Sequence, residues 1–592
     1  MEKLRTPSRT WLLAIVAIAV VATVIGMRRE SDDALASAVR ASLLLNDPVP
    51  LGVSPDGSQL LLRSSRGDRF RLLLRSTADG SERVLDDSAR PQRGVAFRPD
   101  GQAIAFSVDG LEHDAPCEAF VVPITTARRQ RIASADELLV NISWSPDARS
   151  IAMLALRDHG RRRDLSIHDG TAARSLGVEL FERATYTWSP GGDALAIATA
   201  DTTGTLLVVG LDGRERMRIA LAAGAEVRGM SWSEPDRMVV AALVPGDEYV
   251  ALYEIDLAAR AIGHVIRDAA DLSAPRMLPD GRVLASRNSD GQTSFVRCSF
   301  EDRTCAALGP TDGSAQGTRF SADRKAFYLI HSGQTTPAAI LRFDLATTAS
   351  TTLFRSADEP TLAVAPIRVD LISRDGLRVP TYVWKSPRPG SGGRAAIIRI
   401  HGGPDLQWSR SWDAGREMLL QAGFDIIDPN YRGSTGYGAA YENRGNEREG
   451  QIRDLEAACA YAHRALGVRF ERIALLGDSY GTTLAPHVAT SSECPAHSVV
   501  LLSTIDRGSS RRIGVRAPKR ILAYQGEHDR VGPARARDVI KRVFTAAHLE
   551  QADYELTVMH GEAHTFTKLS SRVRIYRDLL RGFAGLSPLA EP

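Results

Sequence analysis

Ser479, Asp529 and His564 are the residues whose types and spacing could do chemistry. A serine hydroxyl is a poor nucleophile until a base takes its proton, and the base needs a carboxylate to orient it. Ser479 lies in Gly477-Asp478-Ser479-Tyr480-Gly481, a Gly-x-Ser-x-Gly pattern directly after the apolar run Ile473 to Leu476. That is the signature of a nucleophile elbow, a serine on a tight strand-to-helix bend at the top of an α/β-hydrolase sheet. The bare pattern would occur by chance about 0.3 times in a chain this long, so its context decides. In this fold the carboxylate and then the histidine follow the serine in sequence. Asp529 follows the strand-like Ile521 to Tyr524, and His564 follows Leu556 to Met559. His528 and His560 compete for the role of base, and Glu527 for that of carboxylate. His487 reads as helix surface or packing. The oxyanion needs two preorganised N–H donors. Tyr480 supplies one from its backbone, and the Gly402-Gly403 turn supplies the other.

The elements that must position these groups alternate between strand and helix. Ile367 to Ile372 and Thr381 to Trp384 flank Ser373-Arg374-Asp375-Gly376, a hairpin signal. Beyond the Pro/Gly/Ser-rich stretch Pro387 to Gly393, strands are expected at 395–400, 424–428, 473–476, 498–503, 520–524 and 554–559. Helices are expected at 412–421, 449–466 and 533–547. This alternation predicts a doubly wound parallel sheet with helices on both faces.

The first half repeats. Val53-Ser54-Pro55-Asp56-Gly57, Phe97-Arg98-Pro99-Asp100-Gly101, Trp144-Ser145-Pro146-Asp147 and Trp188-Ser189-Pro190-Gly191 are followed by Trp232-Ser233-Glu234, Met277-Leu278-Pro279-Asp280-Gly281 and Phe320-Ser321-Ala322-Asp323. With Glu234 and Ala322 standing in for proline, the intervals are 44, 47, 44, 44, 45 and 43 residues. Each unit has room for four strands, one propeller blade. Seven units from 45 to 355 predict a seven-bladed β-propeller, with the recurrent aromatics as blade packing.

At 592 residues the chain is too long for one core. The net charge of +3 calls for no nucleic-acid partner. The five cysteines include no CxxC, and no Cys/His cluster has metal-ligand spacing, so no metal or other cofactor is implied. Cys298 and Cys305 flank a hairpin tip and could form a disulfide in an exported domain. Lys3, Arg5 and Arg9 precede the apolar run Trp11 to Met27, about 25 Å long as a helix. An uncleaved signal anchor is favoured over a cleaved signal. It would place the rest of the chain outside the cytoplasm, periplasmic or extracellular. The expected organisation is an anchor at 1–30, a linker at 31–44, the propeller at 45–355 and an α/β-hydrolase domain at 356–592.

Five motifs together resemble the prolyl oligopeptidase family of serine peptidases, most closely its acylaminoacyl- and dipeptidyl-peptidase-like branch. They are His401-Gly402-Gly403-Pro404, Asn430 to Gly438, Gly477 to Gly481, Gly526 to Val531 and Gly561-Glu562-Ala563-His564. The resemblance implies a propeller capping a hydrolase, Ser479, Asp529 and His564 as a triad, and hydrolysis of short peptides admitted between the domains. Tyr431 and Arg432 are the candidates for the substrate pocket. Thr482 and Ala563 stand where the family has glycine, and the 50 residues from Ser479 to Asp529 are fewer than expected. Two other readings stay open: an esterase with the same triad, and an exported propeller binding platform with an inactive hydrolase domain.

Overall fold

The computed structural model describes residues 33–582, apart from 34, 45–46, 109–115, 136–138, 158–161, 179, 182–183, 200–203, 358–361, 390–392, 506–517, 519 and 547–553. The apolar run at 11–27 lies outside the described residues. Among the described residues, no helix is long and apolar enough to cross a membrane.

Seven antiparallel blades run from Val49–Val53 in the first to Ser350–Arg355 in the last, each of four strands except the third, where Leu180–Phe181 adds a fifth. Blades six and seven are further joined by one parallel pairing, Thr293 with Ser314. The repeated turn explains the period. In Ser54-Pro55-Asp56-Gly57 the serine hydroxyl donates to Asp56 (2.6 Å) and accepts the Gln59 N–H (2.9 Å). The same pair of bonds recurs at Ser145 and Ser321. Blade five differs from the sequence reading: its first strand continues to Glu234, which pairs with Arg237 across a two-residue turn, Pro235-Asp236. Every blade uses consecutive strands, so among the described residues no strand from one end of the propeller completes a blade at the other. Apolar packing closes the ring instead: Val53, Leu60 and Leu62 of blade one meet Tyr328 and Ile340 of blade seven.

The catalytic half is one eight-stranded sheet. Its strands are β1 (Ile367–Ile372), β2 (Arg378–Trp384), β3 (Ala395–Ile400), β4 (Phe424–Pro429), β5 (Ile473–Asp478), β6 (Ser498–Leu502), β7 (Arg520–Gly526) and β8 (Tyr554–Met559). Their spatial order is β1-β2-β4-β3-β5-β6-β7-β8. The β1–β2 hairpin joins antiparallel, and β4 onward is parallel. The central strands are buried on both faces, so they read as continuous apolar runs. Alternate residues feed two cores. Ala396, Ile398, Ile473 and Leu475 pack with Leu455 and Leu484 on one face. Ala395, Ile397, Ala474 and Leu476 pack with Leu419 and Leu579 on the other.

That second core corrects the expected linker. Residues 35–44 form a helix, α1, and its Val39 and Leu43 are 1% and 2% exposed against Trp384, Met418 and Leu579. From residue 35 the chain therefore runs through the catalytic domain, passes into the propeller and returns at residue 356. The two crossings touch: the Ser356 hydroxyl donates to the Pro48 carbonyl (3.0 Å).

The propeller sits over the ends of β3 and β4. Arg410 N–H donates to the Gly291 carbonyl (2.9 Å), Trp412 N–H to Gly333 (2.7 Å) and Ala439 N–H to Glu248 (2.7 Å). Asp290 also accepts from Arg368 (3.1 Å) and from the Tyr382 hydroxyl (3.0 Å). On the far side, Ser570 N–H donates to Asp68 of blade one (2.9 Å). Blades five to seven and blade one thus hold the carboxyl-terminal edge of the sheet, where α/β folds place their ligands.

Candidate active site

The residues singled out from the sequence converge at that edge. Ser479 turns the chain from β5 into helix α4 (Gly481–Ala489) with φ +51°, a conformation costly for any residue with a Cβ. Its flanking glycines are sterically required. A Cβ at Gly477 would lie 2.5 Å from the Gly481 carbonyl oxygen, and one at Gly481 would lie 2.3 Å from that of Ile400. Ser479 Oγ is 2.9 Å from His564 Nε2, and His564 Nδ1 is 2.9 Å from Asp529 Oδ2. Asp529, 2% exposed, also accepts the Gln525 side-chain amide (2.8 Å) and the Val531 N–H (3.3 Å). The rival groups are gathered elsewhere. Glu527 faces His560 (3.4 Å) and His528 (3.6 Å), and the Gly561 N–H donates to it (2.8 Å), holding its carboxyl below the usual range. His487 is buried in α4, as packing requires.

The oxyanion candidates lie beside the nucleophile. Gly402 is pressed against Ser479: a Cβ there would be 3.0 Å from Ser479 Cβ and 3.5 Å from Oγ. Gly403 has φ +107°, which favours glycine. The Tyr480 side chain points away from the nucleophile and donates to Gln451 (2.7 Å), which fixes the peptide carrying the Tyr480 N–H. His401 underlies the turn. It stacks on Tyr431 at 4.3 Å, and burial pushes its pKa down to about 4, so it stays neutral. Asp478 is open to water yet walled in by protein. That enclosure raises its carboxyl pKa, partly offset by the neighbouring His564.

Tyr431 and Arg432 do not line a substrate pocket. Both are 0% exposed. The Tyr431 hydroxyl donates to the His401 carbonyl (2.7 Å). Arg432 is enclosed by Asp454 (2.7 Å), Asp375 (2.8 Å) and Glu447 (2.9 Å). The pair braces the loop after β4 beneath the site.

Sequence reasoning missed the residues that hold the histidine loop and the aspartate. The Ser503 hydroxyl donates to the His564 carbonyl (2.5 Å). The Gln525 side-chain amide donates to Asp529 while its Oε1 accepts the Thr504 N–H (2.8 Å). Only their position at the ends of β6 and β7 could have flagged them. The Cys298–Cys305 disulfide is present as expected. A second, Cys459–Cys494, joins helix α3 (Arg448–Arg464) to the segment after α4, and no spacing rule announces it.

A seven-bladed propeller over an α/β-hydrolase sheet, with serine, histidine and aspartate in line, defines the architecture of a capped hydrolase. Residues 410–494 match the profile of the prolyl oligopeptidase family. It is 29% identical over 257 residues to dipeptidyl aminopeptidase BIII of Pseudoxanthomonas mexicana, which covers 40% of this chain and 36% of that protein. It is 30% identical over 112 residues to the acylamino-acid-releasing enzyme of Rattus norvegicus, which covers 18% of this chain and 15% of that one. The match thus spans about a third or less of these relatives' lengths. The whole fold is shared with a puromycin-hydrolysing peptidase of Mycobacterium tuberculosis (TM-score 0.76, 18% identity, 92% and 96% of the two chains covered). It is also shared with prolyl oligopeptidase B of Galerina marginata (TM-score 0.78, 15% identity, 98% and 94% covered).

Proposed function

We propose that the chain is a serine peptidase acting on short peptides. The observation that carries this reading is the continuous hydrogen-bonded line from Ser479 through His564 to Asp529, with both links at 2.9 Å. In this reading Ser479 Oγ attacks the scissile carbonyl carbon as His564 Nε2 takes its proton. The oxyanion is met by the N–H of Tyr480 and one from the Gly402-Gly403 turn. His564 then gives its proton to the leaving amine, and the acyl-enzyme is hydrolysed by water activated the same way. Asp529 keeps the imidazole in the required tautomer and stabilises the imidazolium. The propeller over this edge restricts entry to short chains. The test is labelling of the intact protein with a fluorophosphonate, located by mass spectrometry, alongside turnover of peptide anilides and short-chain esters. Labelling at Ser479 with anilide turnover supports the reading. Turnover of esters alone overturns the peptidase assignment, and no label on folded protein overturns the enzymatic one.

The same proposal includes export, with the segment at 11–27 as an uncleaved anchor and the catalytic part outside the cytoplasm. Its support is the basic residues before that apolar run and the two disulfides. Membrane fractionation with protease accessibility tests it: a catalytic domain that stays protected in intact cells and after the outer envelope is permeabilised, and is degraded only once the cytoplasmic membrane is broken, overturns this placement.

A further inference from the structure

The first turn of helix α4 carries two buried threonines that the catalytic reading does not use. Thr482 and Thr483 are each 2% exposed. Each bonds the carbonyl three residues back through both its N–H and its hydroxyl. Thr482 N–H and Oγ1 donate to the Ser479 carbonyl (3.0 and 2.6 Å). Thr483 N–H and Oγ1 donate to the Tyr480 carbonyl (3.0 and 2.8 Å). A threonine hydroxyl in a helix commonly turns back on the preceding turn, so the bond by itself says little. What separates the two residues is the peptide that each one holds.

The Ser479 carbonyl and the Tyr480 N–H belong to one peptide unit. That unit is trans, so its carbonyl and its N–H point to opposite sides. Fixing the carbonyl therefore aims the N–H. The chain on the other side of Ser479 is tied as well, because the Ser479 N–H donates to the Leu502 carbonyl (2.9 Å). Among the described residues no acceptor takes the Tyr480 N–H, which leaves it for an oxyanion beside the nucleophile. A carbonyl that accepts two hydrogen bonds also polarises its amide and strengthens the N–H as a donor. The Tyr480 carbonyl held by Thr483 belongs to the next peptide, whose N–H is that of Gly481. Glycine, which the resembled family carries at position 482, would keep only the N–H bond to Ser479.

We propose that Thr482 is a positioning residue for the oxyanion hole. Its hydroxyl locks the Ser479–Tyr480 peptide so that the Tyr480 N–H faces the oxyanion formed when Ser479 attacks a carbonyl. This inference rests on the serine-hydrolase reading above and deepens it.

The test compares Thr482→Val with Thr483→Val in the full chain. Each deletes one buried hydroxyl from the same turn at nearly the same volume, and each keeps the backbone N–H bond to the carbonyl. Thr482→Val should lower kcat on a peptide anilide about tenfold or more with KM little changed, a part of the about 10²–10³-fold loss that follows removal of an oxyanion donor. A peptide trifluoromethyl ketone, whose adduct with Ser479 carries the oxyanion, should lose affinity by the same factor. The corresponding alcohol, which forms no adduct, should bind as before. Thr483→Val should leave all three readings at the parent values, and Thr482→Ser should restore most of kcat. The proposal is overturned if Thr482→Val keeps its kcat, if Thr483→Val loses as much, or if serine at 482 fails to rescue. Should Thr482→Val not fold, Thr482→Gly decides, and activity equal to the parent overturns the proposal. A parent protein that is labelled by a fluorophosphonate at Ser479 but cleaves no anilide fails the peptidase reading alone, and the same comparison then reads the rate of labelling. A parent protein that takes no label overturns the enzymatic reading and this one with it.

Discussion

The propeller and the catalytic domain make the same backbone demand and meet it in opposite ways. Each propeller repeat that ends in the four-residue turn needs a residue of positive φ. Gly57, Gly101, Gly192 and Gly281 fill it without strain, whereas Ala148 and Arg324 are forced there at +63° and +55°. The catalytic domain forces Ser479 to +51° at the elbow, where the strain exposes the hydroxyl to its base. Strain spread over repeats is redundant, because a blade with a poor turn is held by its neighbours. Strain at the elbow has no substitute, and the surroundings of Ser479 are built from backbone that cannot move aside.

The sharpest way to break this comparison is at Ser479. Ser479→Ala should keep the fold and lower kcat about 10⁶-fold on any substrate the protein hydrolyses, measured by burst-free anilide turnover. Next is Gly481→Val, which drives a side chain into the Ile400 carbonyl. It should destabilise by about 3 kcal/mol or more in urea unfolding and abolish fluorophosphonate labelling. Gln525→Leu frees Asp529 and leaves the Thr504 N–H without its acceptor, and it should lower kcat about 10–100-fold with KM little changed. Asp478→Asn removes a carboxylate that favours the imidazolium of His564. The acid limb of kcat/KM should therefore move to lower pH, and a shift to higher pH would refute this reading. The smallest effect belongs to the propeller. Ala148→Gly relieves a left-handed alanine at the cost of a freer unfolded chain, and should stabilise by about 0.5–1 kcal/mol in the same unfolding assay with activity unaltered.

The same contrast explains what was legible in the sequence. The propeller announced itself because its turn chemistry is local: Ser54, Pro55, Asp56 and Gly57 complete their bonds within a few residues and recur at a fixed period. The elbow was legible for the same reason, since Gly477 and Gly481 are dictated by atoms close to Ser479. Asp529 and His564 could be placed because each follows a strand of a sheet whose order is known. What failed depended on distant partners. Tyr431 and Arg432 look solvent-facing in a polar loop, but Asp375 and Asp454 bury the arginine from positions 57 and 22 residues away. Cys459 and Cys494 are 35 residues apart on separate elements. Helix α1 reads as a linker in the sequence because a short amphipathic stretch shows its purpose only against the core it covers.

That helix also gives the chain a modular character. Because residues 35–44 complete the hydrolase core and the Ser356 hydroxyl touches the Pro48 carbonyl, the propeller is a cassette set into one loop of an otherwise self-contained enzyme. The ends of the cassette are neighbours, so a linker of a few residues between about 47 and 356 could close the gap. A protein trimmed to begin at the propeller's first strand would lose part of its hydrolase core, whereas one shorn of the whole propeller would keep that core, with the carboxyl-terminal edge of its sheet uncovered.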